Sequence, residues 1–102
     1  MEDFNDVIKG DKLTLVDFFA TWCQPCKMMH PLLVQLKKDY GDSIRVIKMN
    51  VEENQDMAMQ YAIQSVPTLI LFRRGEILWR QSGLVMLNDL RQLIDHFSDS
   101  AS

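Results

Sequence analysis

The pattern that most constrains this chain runs from residue 13 to residue 50. It reads strand, helix, strand. "LTLVDFF" (13–19) is rich in β-branched and aromatic residues and is apolar at both parities, as a strand covered on both faces requires. From Cys23 to Tyr40, Met28, Met29, Leu32, Leu33 and Leu36 recur at helical spacing, and Gly41 stops the run. Pro31 falls inside this helix and predicts a kink, because it lacks an N–H and its ring crowds the preceding turn. "IRVIKMN" (44–50) is the second strand. Two strands joined by a helix pair in parallel through a right-handed crossover.

The rest of the chain fits around that unit. Phe4, Val7 and Ile8 predict a short helix over 2–9 ended by Gly10, and Asn54 opens another running to about Ala62. "TLILF" and "ILWRQS" flank Arg73-Arg74-Gly75, which reads as a hairpin. After Gly83, Leu87, Leu90, Leu93, Ile94 and Phe97 form the apolar stripe of a last helix, and "SDSAS" is expected to fray. The expected fold class is therefore α/β, a mixed sheet with helices on both faces, in one domain spanning 1–102.

Composition narrows the function. A chain of 102 residues that is 47% hydrophobic builds a core without staples. Its net charge of −3 is mixed in sign, with no basic block for nucleic acid. No apolar stretch is long enough to cross a bilayer, and "MEDFNDVIKG" lacks the layout of a secretory signal. The expected location is cytoplasmic.

Both cysteines of the chain stand in "ATWCQPCK", two residues apart. With Cys23 at the end of the strand-to-helix turn and Cys26 in the first helical turn, their Cβ atoms lie about 5–6 Å apart on one face. Pro25 is tolerated there, since first-turn N–H groups have no partner within the helix. Those free N–H groups and the helix dipole favour a thiolate. The sulfur nearest the helix end gains most, so Cys23 is the expected nucleophile and Cys26, more enclosed, the resolving thiol. A structural bridge is the first rival, but it closes too small a loop to stabilise much. Zinc is the second, but it needs four ligands, and His30 and His96 are the only histidines to add. His30 shares the face of Cys26 and otherwise reads as a helix-surface residue. A two-cysteine metal site bridging two subunits is the third.

Asp17 interrupts the apolar strand, where an unpaired charge is costly. Either it faces solvent on an edge strand, or it is a buried carboxyl with a raised pKa, suited to exchanging protons near Cys26. Lys48, mid-strand in "VIKMN", pairs with Asp17 if those strands are neighbours and otherwise snorkels at the surface. Pro67 precedes a strand, a position open to either peptide isomer; a cis bond would leave the Val66 backbone to meet an extended substrate. Trp22 reads as an exposed apolar contact, Trp79 as packing, and the methionines as core filler.

Together, "VDFFATWCQPCKMMHP", "VIKMNVEENQDMAMQYAIQSVPTLILF", "RRGEI" and Gly83 resemble the thioredoxin family in order and spacing over nearly the whole chain. The resemblance implies a thioredoxin fold with a four- or five-stranded sheet and reduction of protein disulfides, with electrons supplied by a thioredoxin reductase. It implies a monomer, no membrane or nucleic-acid partner, and no cofactor beyond the redox-active disulfide. Position by position, Cys23 matches the nucleophile, Cys26 the resolving cysteine, Asp17 the acid–base group, Lys48 its charged neighbour and Pro67 the cis-proline. Trp22, Pro25, Val66 and Gly83 match the substrate-contact rim, which Gln24 adjoins. Gln24 stands where the family usually has Gly, Phe19 where Trp is common, and Met86 at a usual N-cap. The family's first short strand is missing or reduced. An oxidase or isomerase tuned by Gln24, or a docking module indifferent to redox chemistry, are the alternative functions.

Overall fold

The computed structural model describes residues 3–99. In chain order it comprises α1 (Phe4–Ile8), β1 (Leu13–Phe19), α2 (Gln24–Tyr40), β2 (Ile44–Asn50), α3 (Gln55–Gln60), β3 (Thr68–Arg73), β4 (Glu76–Ser82) and α4 (Leu87–Asp99). Both strands of the predicted strand–helix–strand unit fall where the pattern put them. β1 and β2 pair in parallel, with Asp17 level with Lys48, while β3 runs antiparallel to β1 and β4 antiparallel to β3. The sheet has four strands in the order β2-β1-β3-β4 among the described residues.

Alternation along β1 divides the core. Leu13 and Leu15 point to one face and pack with Met29, Leu33 and Leu36 of α2 and Leu90 and Ile94 of α4. Val16 and Phe18 point to the other, where Ile8 of α1 and Met57 and Tyr61 at α3 cover them. Asp17 follows Leu15 by two residues and so lies on the α2 face. α2 is tied to α4 at its far end, where both Nε and Nη2 of Arg91 donate to one oxygen of Asp39 at 2.9 and 2.7 Å.

α2 carries Pro31 inside it and spans Gln24–Tyr40 as one helix. Several expectations need correction. α3 ends at Gln60 rather than near Ala62, with Tyr61 at its C-cap and Ala62 at a φ of 53°. Ser98 and Asp99 continue α4, because Phe97 packs on the core and holds the last turn; the remainder of "SDSAS" lies outside the described residues, as does residue 2 of the first helix. The methionines are not mainly core filler. Met29 and Met49 are buried, but Met28, Met59 and Met86 are exposed. The hairpin turns on Arg74 and Gly75, whose φ values of 53° and 79° match the mirror-image turn that suits the twist of paired strands.

Candidate active site

The site stands where β1 hands over to α2. Cys23 is the N-cap of α2, in extended conformation, and its Sγ accepts the backbone N–H of Cys26 at 3.1 Å. That N–H is one of the donors a helix start leaves without an internal partner, so sulfur takes the place usually held by a Ser or Asp oxygen. Pro25 occupies the first turn, and no acidic side chain there offsets the positive end of the dipole. Cys23 and Cys26 form a disulfide with Cα atoms 5.2 Å apart. Both are equally buried, at 3% exposure, so enclosure does not distinguish Cys26 from Cys23 as expected; cap geometry does.

A second loop faces the pair. Val66-Pro67 is a cis peptide, and the Val66 carbonyl oxygen lies 3.6 Å from Cys23 Sγ. In the dithiol form the Cys23 thiol has a proton to donate across that gap. The N–H of Gly83 donates to Pro67 O at 2.8 Å, tying the end of β4 to this loop. Gly83 does so with φ at 92°, in the left-handed region that a side chain would strain. Trp22, 68% exposed, stands beside a shallow groove that Val51, Ile63 and Val66 also line. Gln24 and Pro25 are exposed at the helix start, whereas Trp79 packs against the core as expected.

Behind the disulfide lies a crevice of about 350 Å³, lined by Phe19, Ala20, Cys26, Lys27, His30 and Lys48, among others. Asp17, two residues before Phe19 on β1, is fully buried, and neither oxygen of its carboxyl has a hydrogen-bond partner. Burial pushes it up from 3.8 to about 6, against a downward pull from Lys48. The buried-carboxyl reading of Asp17 therefore holds and the edge-strand reading fails, since β1 is flanked by β2 and β3. The expected Asp17–Lys48 contact is not made. The Lys48 ammonium instead donates to His30 Nδ1 at 3.0 Å and sits 4.6 Å above the Phe19 ring. Sequence reasoning passed over His30 as a surface residue. The available signal was its position, four residues beyond Cys26 on the same helix face. Among the described residues no three His, Cys, Asp or Glu side chains converge as a metal site would require.

The comparisons with known proteins agree with this geometry. The thioredoxin family model matches residues 1–96. Thioredoxin from Acidithiobacillus ferridurans is 42% identical over 90 residues, covering 88% of this chain and 83% of that protein. Thioredoxin from Pseudomonas aeruginosa is 39% identical over 90 residues, with 88% and 83% covered. Oxidised mitochondrial thioredoxin 3 from Saccharomyces cerevisiae superposes with a TM-score of 0.81 at 33% identity, covering 91% of this chain and 86% of that one. This chain belongs to the thioredoxin family and is a thiol–disulfide oxidoreductase that reduces protein disulfides through its Cys23–Cys26 pair.

Proposed function

We propose that the roles divide as follows. The Cys23 thiolate attacks one sulfur of a substrate disulfide. A Cys23–substrate disulfide forms, the substrate bond breaks, and the departing sulfur leaves as a thiolate that takes a proton. Cys26 then gives up its proton to the Asp17 carboxylate and attacks Cys23 Sγ. That step closes the Cys23–Cys26 disulfide and releases the second substrate thiol. Two electrons have passed to the substrate, and a thioredoxin reductase supplies two more that reduce the Cys23–Cys26 disulfide back to the dithiol. Lys48 sets the charge around Asp17. Trp22, Gln24, Pro25, Val66, Pro67 and Gly83 form the rim on which the substrate chain lies.

The observation that carries this reading is the 3.1 Å bond from Cys26 N–H to Cys23 Sγ at the start of a seventeen-residue helix. A sulfur so capped gains from ionising, and the low-pKa thiol is the attacking one. The reading takes the chain as a single domain, acting as a monomer, with its own dithiol as the only redox group. A cytoplasmic location goes with it, because a reducing compartment keeps such a dithiol charged with electrons. Insulin reduction with dithiothreitol tests the central role. The wild-type protein should precipitate insulin chains rapidly and Cys23→Ser should not; full activity in Cys23→Ser refutes the assignment.

A further inference from the structure

His30 and Lys48 meet at the wall between two cavities. One is the crevice behind Cys26; the other, of about 330 Å³, runs between α2 and β2 and is also lined by both residues. A lysine ammonium has three donors and no acceptor, so the 3.0 Å contact requires a lone pair on His30 Nδ1. The same ammonium lies over the face of Phe19, whose ring supplies the complementary negative quadrupole. The Lys48 head group is thus held from two sides, by a side chain of α2 and one of β1.

A second candidate partner stands on the neighbouring strand. Lys48 is the register partner of Asp17 on the neighbouring strand, and alternation puts both on the α2 face. Asp17 has no hydrogen-bond partner, so a lysine free to turn inward would find an uncompensated carboxyl. The charges around the pair do not supply another anchor. α2 brings Lys27, Lys37 and Lys38 to the two cavities, β2 brings Lys48, and no acidic side chain lines either one. Lys37 is itself engaged, donating to the carbonyls of Gly41 and Ile44 at 2.7 Å each.

We infer that His30 is a positioning residue: its Nδ1 holds the Lys48 ammonium at the wall of the Cys26 crevice and away from the buried Asp17 carboxyl. The inference rests on the proposed role of Asp17 in the resolving step, and it deepens that role by naming what keeps the carboxyl unpaired. The raised Asp17 pKa, in which burial outweighs the pull of Lys48, fits an ammonium held at a distance. Releasing Lys48 should let it approach Asp17, favour the carboxylate and lower its titration midpoint.

The test reads Asp17 directly, by carbon NMR of its labelled carboxyl across pH, in five proteins: wild type, His30→Ala, His30→Asn, Lys48→Met and His30→Ala combined with Lys48→Met. His30 is exposed, so each variant keeps the core intact. His30→Ala should lower the Asp17 midpoint by about one unit, the lower end for a carboxyl gaining a close cation. The acid limb of the resolving rate should follow it. His30→Asn, whose Oδ1 stands where Nδ1 does, should restore the wild-type curve. With Lys48→Met present, His30→Ala should shift nothing relative to Lys48→Met alone. An Asp17 midpoint unchanged by His30→Ala, or a shift that persists without Lys48, overturns the inference. Either result leaves the Cys23-dependent reduction of insulin untouched, so the two readings fail separately.

Discussion

Asp17 and Lys48 face each other across β1 and β2, yet the Lys48 ammonium bonds His30 and leaves the carboxyl without a partner. The arrangement destabilises the fold and, on the proposed role of Asp17, serves the resolving step. A buried carboxyl in an ion pair is held ionised and gives up its readiness to take a proton; left unpaired in an apolar setting, it titrates near neutrality.

The stability cost has a definite sign. Asp17 titrates near 6 in the folded protein and near its ordinary 3.8 when unfolded. Between those values the folded state holds more protons, so stability falls as pH rises through the window and the loss is complete above it. The displacement corresponds to roughly 3 kcal/mol. Asp17→Asn should therefore be more stable than wild type at pH 7, by up to about that amount, with the gap closing below pH 4. Urea unfolding at both pH values measures it. In the same variant the resolving step should slow most near neutral pH.

The exposed Trp22 ring lies beside the groove that Val66 lines, where an extended substrate would rest. Trp22→Ala should raise KM for reduced-insulin formation by roughly fivefold, about 1 kcal/mol of contact energy. Turnover of a small aromatic disulfide should hardly change, because it reaches Cys23 without crossing the rim. Parallel kinetics on the two substrates separate a contact residue from a structural one.

Gln24 is the departure in the pair's own loop, and it is exposed in the first turn of α2. A polar side chain in solvent adds little to either redox state. Equilibration against glutathione should leave the protein more reducing than that buffer, and Gln24→Gly should move its potential by less than about 30 mV, tenfold in the equilibrium constant. A protein that oxidises glutathione in this assay would support the oxidase reading instead.

The parts legible in the sequence are those set by local pattern. β1 and β2 were bounded to the residue because their apolar composition, the helical period between them and Gly41 leave little freedom. Asp17 betrayed itself as a charge inside a run too apolar to be an edge. The rest depended on tertiary choices. Where the Lys48 ammonium goes is decided by a helix residue eighteen positions away, which no strand pattern contains. The isomer of Val66-Pro67 is set by the loops around it. Met28 and Met59 sit on helix faces that look outward, Met86 is exposed just before α4, and periodicity alone did not assign them. Both cysteines being equally buried likewise removed a distinction that helix position had implied.

The central claim is that the α2 start holds Cys23 as a thiolate near neutral pH. The direct measurement is the pH dependence of Cys23 alkylation by iodoacetamide in the fully reduced protein, followed by mass spectrometry. The account predicts a midpoint clearly below the ordinary thiol value of about 8.5, toward 7. A midpoint at or above the ordinary value contradicts it, and with it the assignment of Cys23 as the nucleophile.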